Sequence, residues 1–394
     1  MAGFTSLDNR LNAMSALGKR FQTLLTKQFN PTAAAVANEW HTLFRGGGSP
    51  QADAIFDAGT NLLFQSLSDQ FANAGSLYHG GDVGADGDDY KLLETAMACT
   101  AAATTVPCWV QLVDVLGFIR KTSVTTTTEQ AVIWPYNDGT ATGGGEAITF
   151  SSSSGLLGTY TNDIQNLSKV RFRNSGGALP TGLVADTDYY TIRVSATTCR
   201  FATSRTNAIA GTAIAFTDAG TGTNVIDVRL PRYSDGVGVD AIMFNPAATA
   251  LGAATPGLSL NYQNGAGVTG RNTPSSPSLP IGKTAASNSH ILYTGATGAG
   301  KFGPVMPLQG ADSGIRTIQG IRNNASYVSG SYTVALIKRL GEPIPLQVLG
   351  QAVPWRFDGG VRVYDGAAIY GIVKSGVATP ANSLIEMHLN FGWT

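Results

Sequence analysis

The sequence predicts a mainly β protein. An N-terminal helical arm precedes a β-sandwich or jelly-roll-like body, and a small β-sandwich module is inserted into that body. Three observations carry this expectation. Before residue 75, apolar residues recur at three- and four-residue steps, the period of a helix face. From about Tyr90 onward the chain breaks into short β-type runs separated by Gly, Pro, Asn and Asp, as in a sandwich or barrel. Between about Ala147 and Val228 a further series of short strands is bracketed by Gly/Thr-rich stretches. The expected divisions are 1–75 for the arm, 76–146 for the first part of the body, 147–229 for the module and 230–394 for the second part.

In chain order, Leu7, Leu11, Met14 and Leu17, then Phe21, Leu24 and Leu25, form one apolar stripe. Ser6 or Asp8 caps its start, and Asn30-Pro31 stops it. A second short helix fits Pro31 to Phe44, Gly46-Gly47-Gly48 is a flexible break, and a third helix fits Ala54 to Phe71. Val106 to Ile119 is the most apolar stretch and predicts one or two buried strands. Within the module, strands are expected at ITF, VRFRN, DYYTIRVSATTCRFATS, AIAFTDAG and VIDVRL. Beyond it they are expected at VDAIMF, LSLNYQN, IRTIQGI, SYTVALIKRL, VRVYDG, AAIYGIVK and SLIEMHLNFGW. Asn264-Gly265, Asp358-Gly359 and Asp365-Gly366 read as hairpin turns.

Composition narrows the function classes. Of 394 residues 43% are hydrophobic and only 13% charged, with 26 basic and 26 acidic side chains. The charged fraction is about half the usual quarter, and the zero balance excludes a generic nucleic-acid binder, which needs a basic footprint. Little self-repulsion remains, so association is favoured. Cys99, Cys108 and Cys199, with His41, His79, His290 and His388, are too few and too scattered for a structural zinc site. The odd cysteine count points to a reducing compartment rather than a disulfide scaffold. No apolar leader opens the chain, and no run reaches the ~18 apolar residues that a spanning helix needs.

Candidate chemistry is sparse. Gly295 to Lys301 copies the first part of a phosphate-binding loop, but Phe302 stands where Ser or Thr would hold magnesium, and Gly303-Pro304 cannot open the required helix. Asp82, Asp86, Asp88 and Asp89 offer oxygen atoms without the calcium-loop spacing. Asp235-Gly236 is a turn, with Asp240 beyond it. No G-x-S-x-G elbow is present. His79 reads as a loop residue, and His388 as a face-lining residue of the last strand. Of Tyr189 and Tyr190, adjacent on a strand, one belongs to the core. No catalytic, cofactor-binding or metal-binding residue is assigned, and an enzyme is not expected.

Several blocks together resemble virion structural proteins of tailed double-stranded DNA bacteriophages. They are FDAGTNLLFQSLSDQFANAGSLYHGGDV, LPRYSDGVGVDAIMF, LSLNYQNGAGVTGR, FGPVMPLQGADSGIRTI and VRVYDGAAIYGI, in that order. The resemblance covers roughly 50–120 and 229–394. The intervening ALPTGLVADTDYYTIRVSATTCRFATS is similar to a small β module that recurs in phage head and tail proteins. The resemblance implies a protein of the phage head, assembled in the host cytoplasm. The first expectation is a decoration or cement protein, trimeric, bound to the lattice of the major capsid protein, with no direct nucleic-acid binding and no membrane. The alternatives are the major capsid protein itself, with the module outside the shell, and a tail or receptor-binding protein.

Overall fold

The computed structural model describes residues 18–29, 39–68, 75–81, 91–100, 106–122, 126–133, 145–151, 157–246, 258–273, 291, 304–326, 329–377 and 383–393. Residues 1–17, the segment 31–38, the acidic loop from Asp82 to Asp89, His290 and Gly295 to Lys301 lie outside the described residues, so the expectations placed there have no structural counterpart below. The chain is mainly β, in several antiparallel sheets. Among the described residues helix is confined to single turns at Ile55–Ala58 and Arg205–Ile209.

The helical arm is therefore corrected wherever it is described. Arg20–Phe29, expected to continue a helix, is a strand paired along its whole length with the C-terminal strand Ser383–Trp393. The reason is the period. Leu25 and Lys27 turn inward and are buried, whereas Leu24 faces out and is 41% exposed. A two-residue alternation explains all three, and a helical stripe does not. The second expected helix likewise contains the strand Trp40–Thr42, paired with Ile369–Ser375. The third reduces to Ile55–Ala58 followed by the short strand Phe64–Ser66. Gly46-Gly47-Gly48 is a close crossing rather than a flexible break. A Cβ on Gly46 would sit 2.0 Å from the Gln28 carbonyl oxygen, and one on Gly48 1.8 Å from that of Thr26.

Two of the body's three sheets carry most of its strands. The terminal sheet runs in the order Val353–Val363, Lys91–Thr100, Ser383–Trp393, Arg20–Phe29, Gly48–Ser49. The central sheet runs Val239–Phe244, Tyr332–Leu346, Cys108–Lys121, Ile369–Ser375, Trp40–Thr42, with Phe64–Ser66 also on Cys108–Lys121. At both ends of the chain successive strands alternate between these sheets, so most connections cross the sandwich. Asp358-Gly359 is no hairpin turn; it lies in Val353–Val363, where the pairing to Lys91–Thr100 slips between Arg356 and Val361. Asp365-Gly366 is a turn but not a hairpin, since it joins Val353–Val363 to Ile369–Ser375 in the other sheet.

Cys108–Lys121 organises the interior. Val110 and Leu112 pack with Leu25, Leu93, Met387 and Leu389 of the terminal sheet. Val113, Val115 and Phe118 pack among Phe44, Phe56, Phe244 and Tyr370. Leu116 and Ile119 join a third core with Val334, Leu336 and the small sheet of Arg271–Asn272, Leu258–Asn264, Ile315–Asn323 and Gln130–Ala131. This double-sided burial accounts for the unbroken apolar run in the sequence.

Strands between Glu146 and Val228 form a separate seven-stranded sheet around Phe150, Phe172, Tyr189, Phe201 and Phe216. AIAFTDAG, expected as a strand, is irregular; Ile214 N–H donates to the Phe201 carbonyl (2.7 Å) and closes the core there. The buried apolar cluster of this sheet is continuous with the third core of the body.

Candidate functional site

The chemistry-bearing side chains gather at two polar nodes inside the body and along one outer face. The first node lies where the two cores on one face of Cys108–Lys121 divide. Asp114, fully buried, stands in the middle of that strand. Arg232 holds it bidentately, Nε to Oδ2 at 2.8 Å and NH2 to Oδ1 at 2.7 Å. The same guanidinium donates to the carbonyls of Leu67 (2.9 Å), Gly366 (2.8 Å) and Val115 (3.1 Å). All five N–H donors of the arginine are thereby satisfied. Asp114 accepts a third bond from the Ala368 N–H at 3.0 Å.

Beside this pair, Lys91 Nζ meets Asp365 Oδ1 at 2.9 Å, His79 Nδ1 at 3.2 Å and the Gly81 carbonyl. His79 Nε2 lies 3.0 Å from the Ala367 carbonyl. A carbonyl accepts only, so Nε2 carries the proton and Nδ1 accepts from the ammonium; these partners fix the tautomer. Burial first, and then the charges of Lys91 and Arg232, hold the His79 pKa down at about 3. The ring stays neutral in ordinary buffers. Contrary to the expectation of a plain loop residue, His79 is off the strands but completely buried.

The second node centres on Asp312. Its carboxylate accepts from Tyr262 Oη (2.7 Å), Asn264 Nδ2 (2.7 Å) and Arg271 Nε (2.8 Å) and NH2 (3.1 Å). The Arg271 bonds are the main cause of a pKa held down at about 2. Tyr262 is pushed up to about 12 by burial and by this carboxylate.

The outer face of the terminal sheet is open. Leu24 pairs with His388, His388 with Met97, and Met97 with Pro354. Three apolar side chains and one imidazole thus stand in a row across four strands. With Gln22, Thr95, Trp355 and Asn390 they line a groove of about 800 Å³. His388 lies on this face as expected, with Nε2 2.9 Å from Glu386 Oε1. On the inner side of the same sheet Lys27 donates to the carbonyls of Gln51 (2.8 Å) and Gly46 (3.2 Å), and burial lowers its pKa to about 8.

The remaining expectations fall as follows. Tyr189 is core and Tyr190 is half-buried beneath Lys169. Asp235-Gly236 is a turn, and Asp240 pairs with Arg339 at 2.9 Å. The three cysteines are free thiols; burial pushes Cys108 and Cys199 up to about 12. Among the described residues no group of three or more His, Cys, Asp and Glu is placed to hold a metal ion. The first node is sealed from solvent with its donors matched, so it holds chain segments together and offers no room to a substrate. One signal for it was present in the sequence. A lone Asp inside VQLVDVLGFI must be paired if that run is buried, and Arg232 is that partner.

No protein family matches the chain, and no curated protein matches it. Among solved structures it aligns with the VP2 subviral particle of infectious bursal disease virus at 10% identity, over 77% of this chain and 81% of that one, with a TM-score of 0.13. The T=1 particles derived from the same virus align at 10% identity, over 77% and 78% of the two chains, with a TM-score of 0.12. Likenesses this slight carry no argument. Among the described residues no helix is long and apolar enough to cross a membrane.

Proposed function

We propose that this chain is a structural protein of a tailed-phage virion that decorates and cements the head shell, as a homotrimer on the lattice of the major capsid protein. One observation carries the reading: the separate sequence blocks that resemble such proteins meet at the two polar nodes. YHGGDV brings His79, LPRYSDG brings Arg232, and VRVYDGAA brings Asp365 and the backbone of Gly366 to Ala368, all onto Asp114 and Lys91. LSLNYQNGAGVTGR and FGPVMPLQGADSG meet at Asp312. Blocks recognised only by their order thus prove to be parts that hold one body together. The module, on its own sheet between Glu146 and Val228, is the part free to vary on the outside of a particle.

A decoration protein is preferred to the major shell protein because that shell fold is built on a long spine helix, and the longest helix among the described residues has five residues. No catalytic step is proposed. The protein assembles in the host cytoplasm and resides in the virion, contacting neither nucleic acid nor membrane. The deciding measurement is copy number in purified virions against the major shell protein. A ratio near one supports the reading; a dozen copies or fewer sinks it and points to the tail. Mild stripping then separates the two head roles, since a cement protein leaves while the shell survives.

A further inference from the structure

Leu24, His388, Met97 and Pro354 stand in one row across the four long strands of the terminal sheet. Leu24 is 41% and Met97 38% exposed, and the row lines the groove of about 800 Å³. Large apolar side chains set side by side on a sheet face mark an interaction surface. The rows on either side of this one are polar and differ in sign. On one flank Thr26 pairs with Glu386. On the other Gln22 pairs with Asn390, whose Oδ1 accepts from Arg20 NH2 at 3.2 Å. The face thus carries an acid on one flank of its apolar row and a base on the other. That order matches itself, as the surface of an unrelated partner need not.

We propose that a second copy of the chain covers this face, terminal sheet on terminal sheet, in an isologous dimer whose two-fold axis runs along the apolar row. Half a turn about that row sets Leu24 against Leu24 and Met97 against Met97. It also exchanges the flanks, so Glu386 of each copy stands over Asn390 and Arg20 of the other. The size agrees. The four strands are ten or eleven residues long; at ~3.3 Å per residue and ~4.8 Å between strands they present roughly 600 Å² per copy. The pair then buries about 1,200 Å², the lower end of stable specific interfaces. No net charge opposes the approach, since 26 basic and 26 acidic side chains cancel. The inference is independent of the virion reading.

Sedimentation of the full-length chain across the micromolar range tests it, and a concentration-dependent dimer is the expected result. Leu24→Glu with Met97→Glu sets like charges against each other across the axis and raises the dimer Kd at least ~100-fold. Because sheet substitutions can disturb folding, two further measurements separate a lost contact from a misfolded chain. Glu386→Arg weakens the dimer, and adding Arg20→Glu to the same chain restores it. His388→Cys, on the axis, forms a disulfide with its counterpart under mild oxidation and runs as a covalent dimer on denaturing gels. A chain that stays monomeric throughout overturns the proposal, as does a doubly reversed chain that fails to recover or a His388→Cys chain that does not cross-link. An oligomer that Leu24→Glu with Met97→Glu leaves intact also overturns it, by placing the contact on another surface, and leaves the virion reading standing.

Discussion

Replacing His79 by glutamine isolates the histidine's part in acid sensitivity. Glutamine retains a donor for the Ala367 carbonyl and an acceptor for Lys91, but it does not titrate. In the folded chain the imidazole gains a proton only near pH 3, because burial and the Lys91 and Arg232 charges oppose the cation; in the unfolded chain it does so near 6.5. Between those values the unfolded state binds the extra proton, so stability falls with falling pH, by about 1.4 kcal/mol per pH unit. The contribution is fully present above pH 6.5 and is lost on the way down to pH 3. At pH 4.5 the loss amounts to about 2.7 kcal/mol. The assay is denaturant unfolding of both proteins from pH 7.5 to 4. The unchanged protein should lose this much more stability than His79→Gln between pH 7 and 4.5. A stability difference between the two that does not vary with pH would refute a neutral, buried imidazole facing the ammonium.

Three further outcomes follow from the same geometry. Arg232→Met leaves Asp114 charged and unpaired in the interior and should cost about 3–5 kcal/mol in denaturant unfolding, while adding Asp114→Leu should restore much of it; a single-variant loss under ~1 kcal/mol contradicts the saturated pair. Lys27, held at about 8, sheds its proton in the fold at a pH where the unfolded chain keeps it. Stability relative to Lys27→Met should therefore rise between pH 8 and 10.5, by up to about 3 kcal/mol, and a flat difference measured by urea unfolding would count against its burial. Cys108 and Cys199, with thiols pushed up to about 12, should resist alkylation at pH 8 in the native chain and react once it is unfolded, as read by mass spectrometry.

The β body was legible because its strands are long and bounded by clear turn residues. Val239–Phe244, Leu258–Asn264 and Ser383–Trp393 all fall where apolar runs and Gly/Asn/Asp punctuation place them. Arg20–Phe29 was not legible, since Phe21, Leu24 and Leu25 satisfy a helical stripe by chance; only the pairing with Ser383–Trp393, over 350 residues away, decides which of them face inward. Asp358-Gly359 misled for a related reason, because the same dipeptide serves a hairpin or a slipped register within one strand. The polar nodes were half legible. Asp114 announces a partner by its apolar surroundings, but nothing local ties it to Arg232, 118 positions on.

Low charge, the feature that favours association, reads differently once the interior is known. Lys27, Lys91, Asp114, Arg232 and Asp365 are all buried, so part of the chain's small complement of charge serves the interior rather than the surface. The interior charges have a separate consequence. A buried pair is weak evidence for stability, since two apolar side chains would often do as well. It does discriminate between registers. Cys108–Lys121 is apolar on both faces, so hydrophobicity alone fixes its register poorly. A slip of one residue would carry Asp114 away from Arg232 and onto the side of Phe44, Phe56 and Phe244. There a carboxylate would lie against the aromatic and aliphatic side chains of that core. The polar node therefore fixes the register of a strand that its own apolar sequence leaves free to slide, and with it the alignment of the two sheets around it.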